Sequence, residues 1–138
     1  MPSEQSHREQ AEYNEEAALS IRDTFPDWAV TMCFYAALHW VECYAKVQGD
    51  DLEQKYQGYQ PHDRLLGYVR DIANTRRDRD LEKAYKNLRN ESQISRYLTG
   101  IRTSSRVHYS RQNKTGVDQS FENLRIVKQR LNIVMLNK

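Results

Sequence analysis

Four histidines and a surplus of arginine in the middle of the chain are the groups with which this sequence could do chemistry. An imidazole moves protons near neutral pH, and a guanidinium grips a phosphate through paired planar donors. Arg102 and His108, with five residues between them in one basic stretch, are a candidate catalytic pair, the histidine to move a proton and the arginine to hold a phosphate. The competing reading is a solvated basic loop. Arg89, Ser92 and Arg96 fall at i, i+3 and i+7 of one helix face, with Asn90 and Tyr97 adjoining. They form either a phosphate-binding edge or a tight helix contact at the serines, with the arginines paired to acids of the first helix.

Tyr35, His39 and Glu42 also share one helix strip, at i, i+4 and i+7. A buried polar relay is one reading; a core histidine satisfied by its neighbours is the commoner outcome. His62 stands beside Asp63 and Arg64 at a helix start, where a packing role is the simpler expectation. His7 shows no partner and is expected on the surface. Cys33 and Cys43 are ten residues apart in one helix, hence separated by about 15 Å of rise, and cannot bridge each other. No glycine-rich loop, zinc-knuckle spacing or nucleophile with a local base occurs, so no metal and no cofactor is expected.

The net charge of +2 conceals an uneven distribution. Residues 1–60 hold 4 Lys/Arg against 11 Asp/Glu, and residues 61–115 hold 13 against 6. An acidic first part and a basic middle fit self-association through opposite faces, or an anionic partner for the basic part. With 138 residues, 38% of them hydrophobic, the chain suits one domain with one modest core. No apolar run approaches the roughly 18 residues of a membrane span, and Met1 to Gln10 lacks the apolar centre of a signal peptide. A cytoplasmic protein without membrane association is expected.

Only 5 Gly and 3 Pro punctuate the sequence, and nothing alternates with the period of a strand. Five amphipathic stretches predict an all-α, up-and-down bundle of four to five helices. The first spans Ser6–Thr24, with Ser6 and Glu9 at capping-box spacing and a stripe of Ala11, Asn14, Ala18, Ile21 and Phe25. The second, Pro26–Gln48, is apolar on most sides, Trp28 included, and is therefore expected at the centre. The third covers Pro61–Asn74, the fourth Asp78–Leu98. The fifth, Asp118–Leu136, has Phe121, Leu124, Val127, Leu131 and Val134 on its stripe. Between the last two, Thr99–Gly116 contains no acid but carries Arg102, Arg106, Arg111 and Lys114, with His108 and Tyr109 in its middle. Helix connections usually need roughly two to eight residues. The composition predicts disorder in the free chain, with ordering on a polyanion as the functional alternative. Tyr56, Tyr59 and Tyr109 belong to no helical stripe; exposed tyrosine beside arginine stacks on bases or serves interfaces.

One ordered set of motifs carries a resemblance. Asp27-Trp28, Phe34-Tyr35-Ala36-Ala37-Leu38-His39-Trp40-Val41-Glu42, His62-Asp63-Arg64, Tyr85-Lys86-Asn87-Leu88 and Ser92-Gln93-Ile94-Ser95-Arg96-Tyr97 follow one another as in the HEPN (higher eukaryotes and prokaryotes nucleotide-binding) domain. In particular they resemble its bacterial branch with an FYAALH-like second helix and a Ser-x3-Arg-Tyr fourth, over about residues 7–136. The resemblance implies a dimerising helical bundle. It further implies either a metal-independent endoribonuclease, often a toxin partnered with a nucleotidyltransferase-type antitoxin or part of a defence system, or a non-catalytic module that binds RNA, a nucleotide or a partner protein. Catalytic members carry Arg-x4–6-His, usually with a polar residue after the arginine. Here Arg89-Asn90 occupies the start of that motif, but Ile94, Ser95 and Arg96 stand where the histidine would follow, which points to the non-catalytic version. Arg102 and His108 match the spacing beyond the Arg96-Tyr97 landmark. Because His39 and His62 both belong to the matched motifs, they are expected to approach each other or the fourth helix. In this reading Arg89, Asn90, Arg96, Tyr97, Arg106 and Arg111 bind RNA or phosphate.

Overall fold

The computed structural model describes residues 2–131, and those residues form helices and their connections, with no strand among them. The expected all-α bundle is present. Helix α1 (Glu4–Ile21) leads into α2 (Pro26–Gln48), the short α3 (Leu52–Lys55), α4 (Pro61–Arg76) and α5 (Arg79–Tyr97); α6 (Ser105–Val107) and a π-helical turn (His108–Gln112) precede α7 (Lys114–Arg130). The expectations for Val134 and Leu136 lie outside the described residues.

Local chemistry sets the boundaries. Ser3, not Ser6, caps α1: its backbone is extended and its hydroxyl accepts from the Ser6 N–H at 3.1 Å, which places Ser6 inside the first turn. The helix stops at Ile21 because Pro26 opens α2, and the residue before a proline is driven out of the helical region; Phe25 takes φ −132° there and is exposed instead of completing the stripe. Helix α2 ends at Gly49, whose φ of 77° lets its N–H and that of Asp50 return to the last carbonyls. Asp78 caps α5 through the Leu81 N–H.

Helix α2 is central, packed by α1, α5 and α7. Ala29, Val30, Cys33, Ala36, Ala37, Val41 and Cys43 lose all solvent contact, and Phe34 nearly all of it. Tyr85, Leu81 and Leu88 of α5, Val69 of α4 and Val127 of α7 close the core. Helices α1 and α2, α4 and α5, and α5 and α7 run antiparallel: Glu4 reaches Cys43, Asp63 pairs with Arg89 and Glu82 with Arg70, and Arg130 pairs with Asp78. Trp28 departs from the expected buried position and is 55% exposed. It heads a strip, Trp28, Met32, Tyr35, His39 and Glu42, that neighbouring helices cover only in part.

The segment 99–116 departs most from expectation, because it is folded. Ser104 caps α6, and Ser105 donates to the Asp27 carboxylate at 2.8 Å. Tyr109 is buried with Val30 and Val117, and Asn113 caps α7 by accepting from the Gly116 N–H at 3.1 Å. That cap starts the last helix at Lys114, ahead of Asp118. Gly116 is required there, since a Cβ at this position would lie 2.5 Å from the Asn113 amide nitrogen. Tyr56 is likewise buried, between α3 and α4, donating to Asp71, whereas Tyr59 stays exposed. In each case one buried tyrosine with a polar partner supplies the anchor that a polar composition conceals.

Candidate functional site

Two regions gather the chemistry. The first is a groove of about 620 Å³ beside the open strip of α2, lined by Tyr35, His39 and Glu42 of α2, His7 of α1, and His62 and Arg64 of α4. His7 is not on the surface. It is buried, with its Nδ1 3.0 Å from Nδ1 of His39 and 2.9 Å from Oε2 of Glu42. The signal for this was available one turn upstream of the expected stripe, because His7 precedes Ala11, Asn14 and Ala18 at the same helical spacing. Burial lowers the pKa of His7 and of His39 below the ordinary 6.5, with the mutual effect of His39 and then Lys46 adding to the lowering at His7. Both shifts favour the neutral rings. Burial raises the Glu42 carboxyl, and Lys46 opposes that rise.

His62 lines the same groove as His39, and its ring packs against Phe34 and Tyr35 at 5.9 and 6.3 Å between centroids. Burial depresses its pKa first, followed by the nearby Arg96 and Arg89, while Asp63 opposes them. Arg96 lies behind Tyr35, one of the groove's lining residues. Its Nε donates to Ser92 Oγ at 2.9 Å, one terminal nitrogen donates to the Tyr35 hydroxyl at 2.8 Å, and its plane lies 5.3 and 4.8 Å from the Tyr35 and Tyr97 rings. No carboxylate among the described residues comes within 4.0 Å of it, so its charge is held by hydroxyls and ring faces. Arg89 pairs with Asp63 of α4 at 2.6 Å, not with an acid of the first helix as one reading expected. Ser92 and Ser95 are buried at the contact with α2, where Ser95 donates to the Asp27 carbonyl at 2.7 Å and accepts from Thr31 at 3.0 Å. Asn90 is exposed on the outer side of α5.

The second region is the folded basic segment. Arg102, Arg106 and Arg111 are exposed, as is Lys114, and none forms an ion pair with a described acid. Arg106 lies 5.9 Å from the Phe25 ring. His108 is half-buried: its Nδ1 is 3.4 Å from the side-chain oxygen of the exposed Gln112, its Nε2 is buried with no hydrogen-bond partner, and its ring meets Tyr109 edge-on at 4.7 Å. No hydrogen bond joins it to Arg102. Tyr97, Leu98, Trp28 and Phe25 are exposed near the segment's beginning, where Ser95 and Ser105 hold α5 and α6 to the start of α2. No helix of the described residues is long and apolar enough to cross a membrane. No protein-family profile, curated protein or solved structure matches the chain.

Proposed function

We propose that this chain is a non-catalytic, HEPN-like helical module that binds single-stranded RNA along residues 96–114. One observation carries the reading. The acid-free segment is pinned from beneath by Tyr109 and Ser105, so Arg102, Arg106, Arg111 and Lys114 stand exposed without competing carboxylates, with the exposed Phe25 ring 5.9 Å from Arg106 and the exposed Tyr97 ring just before the segment. Unpaired cations supply phosphate affinity and exposed rings accept unstacked bases. Arg96, held between Tyr35 and Tyr97, continues that surface toward Tyr35 of the groove. In the setting implied by the sequence resemblance the module works in the cytoplasm as a homodimer, within a toxin–antitoxin or defence system whose partner is a nucleotidyltransferase-type antitoxin.

The ribonuclease reading has less support. A general acid or base must present a ring nitrogen to substrate; Nε2 of His108 is buried, Nδ1 faces the exposed Gln112 side chain, and no hydrogen bond joins the ring to Arg102.

Fluorescence anisotropy with labelled unstructured RNA tests the proposal. Binding that falls steeply with salt is expected, with a log–log slope reduced by about 0.7 for each phosphate contact removed when Arg102, Arg106, Arg111 and Lys114 are changed to alanine one at a time. Salt-independent binding, or equal affinity after all four are removed, would refute it. Incubation of the same RNA with EDTA present should leave it intact; cleavage abolished by His108→Ala would favour the nuclease reading instead.

A further inference from the structure

The groove contains a cluster for which RNA binding has no use. His39 and Glu42 sit three residues apart on the open strip of α2, and the antiparallel packing of α1 places His7 over them, so two imidazole nitrogens and one carboxylate oxygen converge within 4.8 Å of one another. The contacts are unusual in sharing a single atom. His7 Nδ1 is 3.0 Å from one neighbour and 2.9 Å from the other, yet a ring nitrogen carries at most one hydrogen. If that hydrogen points at Glu42, the lone pair of His39 Nδ1 has only a shared donor. If His39 donates to His7 instead, the lone pair of His7 faces the carboxylate. Neither tautomer completes both bonds, whereas one cation placed among the three atoms satisfies all three lone pairs.

We propose that His7, His39 and Glu42 bind a divalent transition-metal cation of the zinc type, with at least one coordination position open to the groove. Around Zn2+ with bonds near 2.05 Å, the edges of a ligand tetrahedron are about 3.3 Å, so the two short separations open by a few tenths of an ångström and the third, within 4.8 Å, settles to the same length. Two imidazoles and one carboxylate select zinc, cobalt, nickel or iron over magnesium and calcium, which take all-oxygen sets. Three protein ligands beside a cavity leave room for water or an anion, the arrangement of a reactive and not a purely structural site. The Lys46 ammonium acts on both His7 and Glu42, and its residue is exposed at the groove. Cys43 lies close in sequence, but its thiol turns to Glu4 at 3.8 Å, which leaves sulfur outside the set.

The test is titration of the tag-free, EDTA-stripped chain with Co2+, followed by optical absorbance, with Zn2+ as competitor. One equivalent is expected to bind at micromolar concentration or tighter, to be displaced by Zn2+ and not by Mg2+ or Ca2+, and to raise the melting temperature. His39→Gln and Glu42→Gln should each weaken binding at least tenfold, while His108→Ala leaves it unchanged. Side-chain NMR of the unaltered protein provides a measurement independent of variant folding: Zn2+ should shift the Nδ1 resonances of His7 and His39 and spare that of His108. Absence of a saturable equivalent, retention of full affinity in the folded His39→Gln chain, or shifts confined to other histidines would overturn the site. Because none of these readouts involves RNA, the proposed RNA-binding function and the metal site stand or fall separately.

Discussion

The phenol of Tyr109 donates to the Glu91 carboxylate at 2.9 Å and lies 3.0 Å from the Glu91 backbone carbonyl. This one side chain, inserted from the middle of the basic segment against α5, turns a composition suited to a disordered loop into a fixed surface. Tyr109→Phe keeps the ring and removes the polar contact, leaving Glu91 with only the longer bond from the Asn113 amide at 3.5 Å. The expected cost is about 1.5–3 kcal/mol, the range for a hydrogen bond to a charged acceptor. Tyr109→Ala also empties a fully buried site and should cost about 3–5 kcal/mol. Hydrogen exchange over residues 104–114 checks the mechanism: protection there should fall before protection in α2 does. Uniform loss across the chain would show that the tyrosine supports the whole core and not the segment.

Arg77 closes α4 in the left-handed region, at φ 55°, with its N–H returning to the Ala73 and Asn74 carbonyls. A side chain is strained there, and the residue is exposed, so its replacement disturbs no packing. Arg77→Gly should therefore raise stability by about 0.5–1 kcal/mol, measured by chemical denaturation at fixed salt. A decrease would indicate that the Arg77 side chain makes an interaction worth more than the relieved strain.

Alkaline pH should unfold the chain. Burial raises Tyr85, Tyr109 and Tyr68 well above the ordinary phenol value of 10.0, with acids adding to the rise at each, and Asp71 adds to burial at Tyr56. Burial also pushes the Cys33 thiol up to about 12 from 9.0. A group whose folded pKa is raised releases its proton more readily from the unfolded chain. Its stabilising contribution is complete below the unfolded value and is lost as pH climbs past it. Stability should accordingly hold to about pH 9 and decline above it, with these tyrosines ionising only as the helical signal is lost. Cys33 should stay unmodified by a thiol reagent at pH 8 and react in denaturant, as followed by mass spectrometry. Full tyrosine ionisation in the still-folded chain would contradict the burial described here.

Helix identity and placement were legible in the sequence because they depend on local chemistry. The 3.6-residue periodicity, Pro26 at a first turn and Gly49 as a stop each act within one or two turns. They located α2 to the residue and its neighbours to within a few positions. The central role of α2 followed from its apolar circumference. The near-exclusive use of helices followed from the absence of any alternating pattern.

Only the tertiary structure decided which partners His7 meets and whether the basic segment folds. His7 is buried because α1 runs antiparallel to α2, which brings residue 7 beside residues 39 and 42, a pairing across more than thirty positions that no local pattern encodes. The segment 99–116 is ordered because Tyr109 and Ser105 find Glu91 and Asp27 on other helices. Hydrogen bonds and burial of that kind belong to pairs of distant residues, and the free energy that settles them exists only once the helices have packed.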